Sequence, residues 1–227
     1  MKRYLIRYMA ERPLFLKKDM VFDPANLPEE WANLEEAELD QYVWDESGYT
    51  PRACARVGWN EQGLHVLMYA REDKVRARVR DMGGMVCTDS CLEFFVKPAP
   101  EHDARYFNFE VNARGVMLLE IGTGRKNRFG AVSLPAEGMN IQANVREESA
   151  FRGGWWAVSY TVPAELMAEH FPGLKLRAGL RMEGNFYTCA DLSDTPHYGT
   201  WNRIDNPFPD YHRPEGFGEL VLAAQDA

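Results

Sequence analysis

The stretch "CTDSCLEFFVKP", Cys87 to Pro98, decides the fold. Leu92, Phe94 and Val96 alternate with Cys91, Glu93 and Phe95. Successive strand residues point to opposite sides of a sheet, so this reads as a strand with one wholly apolar face and one mixed face. A glutamate between Leu92 and Phe94, with Phe95 next, is costly to bury unpaired. Its partners have to come from neighbouring strands.

The same pattern recurs on both sides. "RYFNFEVN", Arg105 to Asn112, puts Phe107, Phe109 and Val111 on one face and Tyr106, Asn108, Glu110 and Asn112 on the other. "LRAGLRMEGNFYT", Leu176 to Thr188, reads as a long strand with Arg177, Gly179, Arg181, Glu183 and Asn185 on one side. "RACARVGWN", Arg52 to Asn60, and "GLHVLMYARED", Gly63 to Asp73, are joined by "NEQG", a hairpin signal. "RYLIRY", "VMLLEIG", "MNIQANVRE", "GWWAVSYTVP" and the terminal "FGELVLAA" add further short strands. "GRKNRFG", Gly124 to Gly130, reads as a loop, as does Cys189 to Phe217.

Helix is scarce. "LPEEWANLEEAEL" is helical in part, with Pro28 suited to its first turn and Trp31 facing the core. "PAELMAEHF", Pro163 to Phe171, is a second short helix. Many short strands with turn signals between them predict an all-β fold: an antiparallel β-sandwich, jelly-roll or immunoglobulin-like, with one or two short helices. Nothing reads as a repeat or linker, so residues 1–227 are expected to form a single domain.

Lys plus Arg number 26 against 34 Asp plus Glu, a net charge of −8. With no Lys/Arg block, neither nucleic acid nor a membrane is an expected partner; a small neutral ligand suits the chain better. The four cysteines form no zinc-type spacing. "MKRYLIRYMAERP" lacks the apolar run of a signal peptide, so a cytoplasmic location is expected, or a secreted one if a leader precedes Met1 in the full protein.

Three strands thus carry one apolar face and one face of hydrogen-bonding groups. If they lie side by side, Glu93, Asn108, Glu110, Asn112, Arg181, Glu183 and Asn185 make a polar sheet face able to grip hydroxyls. The loop His197 to Gly218 adds Trp201, Phe208, Tyr211 and His212, stiffened by Pro207, Pro209 and Pro214. A rigid aromatic ring covers the C–H face of a pyranose at small entropic cost. Trp201 and Phe217 are also suited to plugging the end of the sandwich, whereas Tyr211 and His212, beside Asp210 and Arg213, are expected to be exposed.

In order, "ARVGWNEQGLHVLMYARED", "TDSCLEFFVKP", "YFNFEVNARG", "GWWAVSYTVP" and "HRPEGFGELVL" resemble the family 9 carbohydrate-binding modules, within a wider superfamily of DOMON-like sandwiches. The resemblance runs from about Trp31 to Leu222. It implies a non-catalytic sandwich that holds a mono- or oligosaccharide between two aromatic rings, often beside xylanases and often with structural calcium. It implies that Glu93 is the sugar-binding glutamate. The family's arginine falls on Glu110 and one stacking tryptophan on Cys87, both departures, while its glutamine resembles Glu183 and the other tryptophan resembles Tyr211, an aromatic substitute. Asp89 lies four residues before Glu93 where the family has three, which a β-bulge near Ser90 or Cys91 would absorb. With no secretion signal, a small intracellular sugar suits the chain as well as a polysaccharide end.

Two other functions fit parts of the pattern. Paired carboxylates among Glu93, Glu110 and Glu183 would suit a glycoside-processing enzyme. A haem-binding sandwich needs a His/Met pair, for which His65 and Met68 are the candidates, although strand parity puts them on opposite faces. Structural calcium would have to use acidic loops such as Asp45 and Glu46, or Asp205 to Asp210.

Overall fold

The computed structural model describes residues 1–45, 47–130 and 138–225. Among them are thirteen strands: β1 (Arg3–Tyr8), β2 (Ala37–Glu38), β3 (Ala53–Asn60), β4 (Gly63–Glu72), β5 (Cys91–Lys97), β6 (Tyr106–Asn112), β7 (Met117–Gly122), β8 (Arg128–Gly130), β9 (Gln142–Ala143), β10 (Gly154–Pro163), β11 (Arg181–Cys189), β12 (Tyr198–Thr200) and β13 (Gly218–Leu222). Two short helices, α1 (Glu29–Ala32) and α2 (Ala164–His170), follow Pro28 and Pro163, as the sequence predicts.

The strands run in the order β8-β7-β6-β5-β11-β13-β1-β3-β4-β10-β9, with β12 added to β11 and β2 to β3. This path folds into two facing layers hinged at β1. Arg3 to Ile6 pair with β13, and Arg7 and Tyr8 pair with β3. Both β1 pairings are parallel, the exception in an otherwise antiparallel sandwich. We call the β5/β6/β11 layer the front sheet and the β3/β4/β10 layer the rear sheet.

Between the sheets lies the main core. It takes Leu92, Phe94 and Val96 from β5, Phe107, Phe109 and Val111 from β6, and Leu64, Val66 and Met68 from β4. Those are the apolar faces that period-two alternation marks out. The β3–β4 hairpin turns on Glu61 and Gln62, with Asn60 paired to Gly63. Gly63 is required there because a Cβ would sit 2.2 Å from the Val162 carbonyl oxygen of the neighbouring strand.

Three expectations change. The ladder from Cys91↔Asn112 to Val96↔Phe107 is regular, with no bulge at Ser90 or Cys91. Asp89 closes the 3₁₀ turn Val86–Thr88 and so precedes the strand, which begins at Cys91. There its buried carboxylate accepts from Arg76 Nη1 (2.6 Å), the Val79 amide (2.8 Å) and Asn112 Nδ2 (2.9 Å). β11 begins only at Arg181, because Gly179 turns the chain with φ of +78°. The end of "GRKNRFG" is not loop but β8, which pairs with β7.

Candidate functional site

Register brings the acids together. Glu93 of β5 is directly opposite Glu110 of β6 on one side and Tyr187 of β11 on the other. All three point away from the main core, onto the outer face of the front sheet. Loops rise around this face and leave a cleft of about 540 Å³. Its floor is Glu93, Phe95, Glu110 and Cys189; its walls include Met85, Cys87, Arg125, Arg128, Asp191, Tyr198, Tyr211 and His212.

Electrostatically the floor is uncompensated. Burial and the facing Glu110 push the Glu93 carboxyl well above its usual range. Burial does the same to Glu110, against a hydrogen bond of 2.8 Å from Asn108 Nδ2. Among the described residues, no ion pair is formed by Glu93, Glu110 or Asp191. The two nearby guanidiniums are engaged at the rim: Arg125 Nη2 with Asp210 (2.7 Å), Arg128 Nε with Glu120 (3.4 Å). Arg128 also lies over the Tyr106 ring and donates to Asn108 Oδ1. The pair therefore favours holding protons, and a carboxyl that both donates and accepts suits a hydroxyl ligand.

The sequence-marked residues divide clearly. Glu93, Glu110, Tyr211 and His212 line the cleft. Asn108 supports it by orienting Glu110. Asn112 does not reach it: its amide holds Val79 and Asp89 and caps the turn at Arg114 and Val116. Asn185 is a clamp too, donating to the carbonyls of Asn202 and Gly216 and accepting from the Asn202 amide. It pins the His197 to Gly218 loop to β11. Arg181 and Glu183 share the sheet face but not the cleft. Glu183 is opposite Lys97, four residues from Glu93 along β5, or about 13 Å at strand rise. Glu183 pairs with Lys97 and Arg181 with Glu219, beside a separate shallow groove.

Of the two readings of Trp201 the plugging one holds and the ligand contact does not, and the exposure expected of Tyr211 is corrected. Trp201 is 4% exposed and packs edge-on against Tyr4 and Phe186 in the main core, because Gly218 leaves room for its ring. Tyr211 is 7% exposed rather than open. Its ring stacks on Tyr187 at 4.2 Å and its hydroxyl donates to the Thr188 carbonyl, so only an edge meets the cleft. His212 is the better platform. It is half-buried, lies 5.0 Å from Phe95 and is hydrogen-bonded to Tyr106. Burial and the adjacent Arg128 and Arg125 lower its pKa to about 3, which keeps the ring neutral.

Arg125, Arg128, Asp191 and Tyr198 also line the cleft, and alternation alone does not mark them. The basic run "GRKNRFG" was the available signal for the arginines: a hairpin beside an acidic strand face places its cations on the rim. Tyr198 is half-buried on β12, a strand too short for periodicity to reveal.

The other ligand schemes find little here. His65 binds Thr161 on the outer face of the rear sheet while Met68 is in the main core, so they converge on no pocket. Asp45 accepts from Ser47 and Gly48 in its own turn; Glu46 lies outside the described residues. Asp205 pairs with Arg203 and Asp210 with Arg125.

A sandwich with a loop-walled, carboxylate-floored cleft on one sheet face defines a class of ligand-binding module, and comparison narrows it. The family model for carbohydrate-binding family 9 matches residues 24–222, and the chain belongs to that family of non-catalytic carbohydrate-binding modules. No curated protein matches the sequence. A candidate carbohydrate-binding protein from Bacteroides uniformis is 28% identical and superposes with a TM-score of 0.75, over 96% of this chain and 99% of the other. A family 9 module from Caldicellulosiruptor kristjanssonii in complex with cellotriose is 14% identical, with a TM-score of 0.61 over 98% of this chain and 94% of the other. A family 9 module from the same organism in complex with glucose is 14% identical, with a TM-score of 0.60 over 100% and 98%. At 14% identity the last two share the fold.

Proposed function

We propose that the front-sheet cleft holds a mono- or oligosaccharide, with Glu93 and Glu110 on its hydroxyls. Arg125 supplies a donor from the rim, and the partly exposed rings of His212 and Tyr198 cover the sugar's C–H faces. One observation carries the reading: two carboxylates on directly opposed residues form the floor of a cleft walled by aromatic side chains. The cellotriose- and glucose-bound modules from Caldicellulosiruptor kristjanssonii support a glucose-type ligand. Cys87 cannot stack, so the ligand is covered less completely from that side.

Calorimetry with glucose and cellotriose tests this. Wild type is expected to bind, and Glu93→Gln or Glu110→Gln to weaken binding by about 10-fold, the loss of one carboxyl hydrogen bond. Binding that is unchanged in both variants, or no binding by folded wild type to any sugar on a glycan array, would remove the proposal.

A further inference from the structure

Cys91 and Cys189 are directly opposed on β5 and β11, and Glu93 is two residues from Cys91 on the same face of β5. Cys189 Sγ lies 3.2 Å from Glu93 Oε1. One ligand atom from each of the three lies within 4.8 Å of the others, and all three residues are buried. In a tetrahedral zinc-type site, bond lengths of about 2.0–2.3 Å put neighbouring donors about 3.3–3.8 Å apart. The observed spacing is thus within small side-chain adjustments of a coordination set. The donors stand on adjacent, hydrogen-bonded strands, so little conformational freedom is lost on binding. Among the described residues no cation is paired with Glu93, and Arg125 and Arg128 are engaged at the rim.

We propose that Cys91, Cys189 and Glu93 bind a thiophilic divalent cation of the zinc type, with its fourth position open toward the cleft. Two sulfur donors in three select such an ion over calcium or magnesium, which require oxygen. Cys91 forms the closed back of the site, and Glu93 and Cys189, which line the cleft, give access. Binding exchanges the two thiol protons, and any proton on Glu93, for the cation; the protons pass to solvent and no electron moves. The site shares Glu93 with the sugar reading but does not depend on it. Cys54 is a natural control: it is buried on the outer face of the rear sheet and belongs to a different cluster.

The test is titration of the fully reduced chain with Co²⁺ alone. One equivalent is expected to produce a near-ultraviolet thiolate-to-cobalt charge-transfer band with tetrahedral visible absorption, both displaced by Zn²⁺. Cys91→Ser and Cys189→Ser abolish the band; Cys54→Ser keeps it. A folded, reduced wild type that gives no band with excess Co²⁺ overturns the proposal, whatever the variants do. A band that survives the double Cys91→Ser/Cys189→Ser substitution overturns it equally. Sugar calorimetry in chelator reads the cleft without the metal, so failure of one reading is separable from failure of the other.

Discussion

The outer faces of the two sheets treat buried charge in opposite ways. On the rear sheet the segment from Met9 to Leu34 folds over Leu67, Tyr69 and Ala157 and closes the face. Beside it the half-buried Glu36 meets Arg56 (2.9 Å), Arg52 (3.0 Å) and the Tyr69 hydroxyl. Burial raises its pKa, but the hydrogen bonds from Tyr69 and Cys54 and the Arg56 charge outweigh this and hold it low. On the front sheet the covering loops stop short and leave a cleft. Glu93 and Glu110 face each other there without a paired cation, and both are pushed up. A buried charge that is compensated belongs to the architecture. One left uncompensated at the floor of a cleft marks a place kept for a ligand.

The comparison breaks most visibly through stability. Arg56→Met removes one of the two cations on Glu36 and the donor to the Leu34 and Ala32 carbonyls, so chemical denaturation should show a loss of about 2 kcal/mol, below the buried-pair range because Arg52 and Tyr69 still hold the carboxylate. Glu93→Gln should do the reverse on the front sheet, gaining about 1 kcal/mol at pH 8. The sign follows from the raised pKa of Glu93 in the fold. Wild-type stability from this group is fully present below the unfolded carboxylate value of about 4.5 and is lost as pH rises through the folded value. The gain in the variant should therefore vanish near pH 4. A variant destabilised at pH 8 would contradict the uncompensated floor.

Smaller effects sharpen the map of the cleft. His212→Ala should weaken sugar binding by about 5-fold and His212→Phe by less, because the ring acts as an apolar platform. With its pKa near 3, His212 contributes no titration to binding between pH 5 and 8. Smallest of all, Arg181→Ala and Glu183→Gln should leave affinity within about 2-fold, since such exposed pairs lie outside the cleft.

Much of this was legible in the chain. Alternation in "CLEFFVK" and "YFNFEVN" specifies which faces are core and turns Glu93 and Glu110 each away from it; strand pairing is what puts them on one face. Register is what alternation leaves open. Nothing in "RMEGNFYT" says that Glu183 meets Lys97 rather than Glu93; that depends on where Gly179 ends the preceding turn. Asn112 and Asn185 read as ligand groups because a clamp and a contact use the same side chain. Only the partners of the amide, the Asp89 carboxylate and the Asn202 carbonyl, distinguish them. Tyr211 read as exposed from its charged neighbours, yet stacking on Tyr187 turns it inward. Of the rim cations, Arg128 arrives on β8, a strand of three residues whose pairing no periodicity reveals, and Arg125 on the loop before it.

The central claim, that the ligand lies on the Glu93–Glu110 floor, is tested most directly by a crystal structure of the chain soaked with glucose or cellotriose. Density for a sugar ring in the front-sheet cleft, with hydroxyls within hydrogen-bond distance of Glu93 or Glu110 and a face against His212 or Tyr198, is the predicted result. A sugar bound on the rear sheet, or in the groove beside Arg181 and Glu183 with the floor untouched, would contradict it.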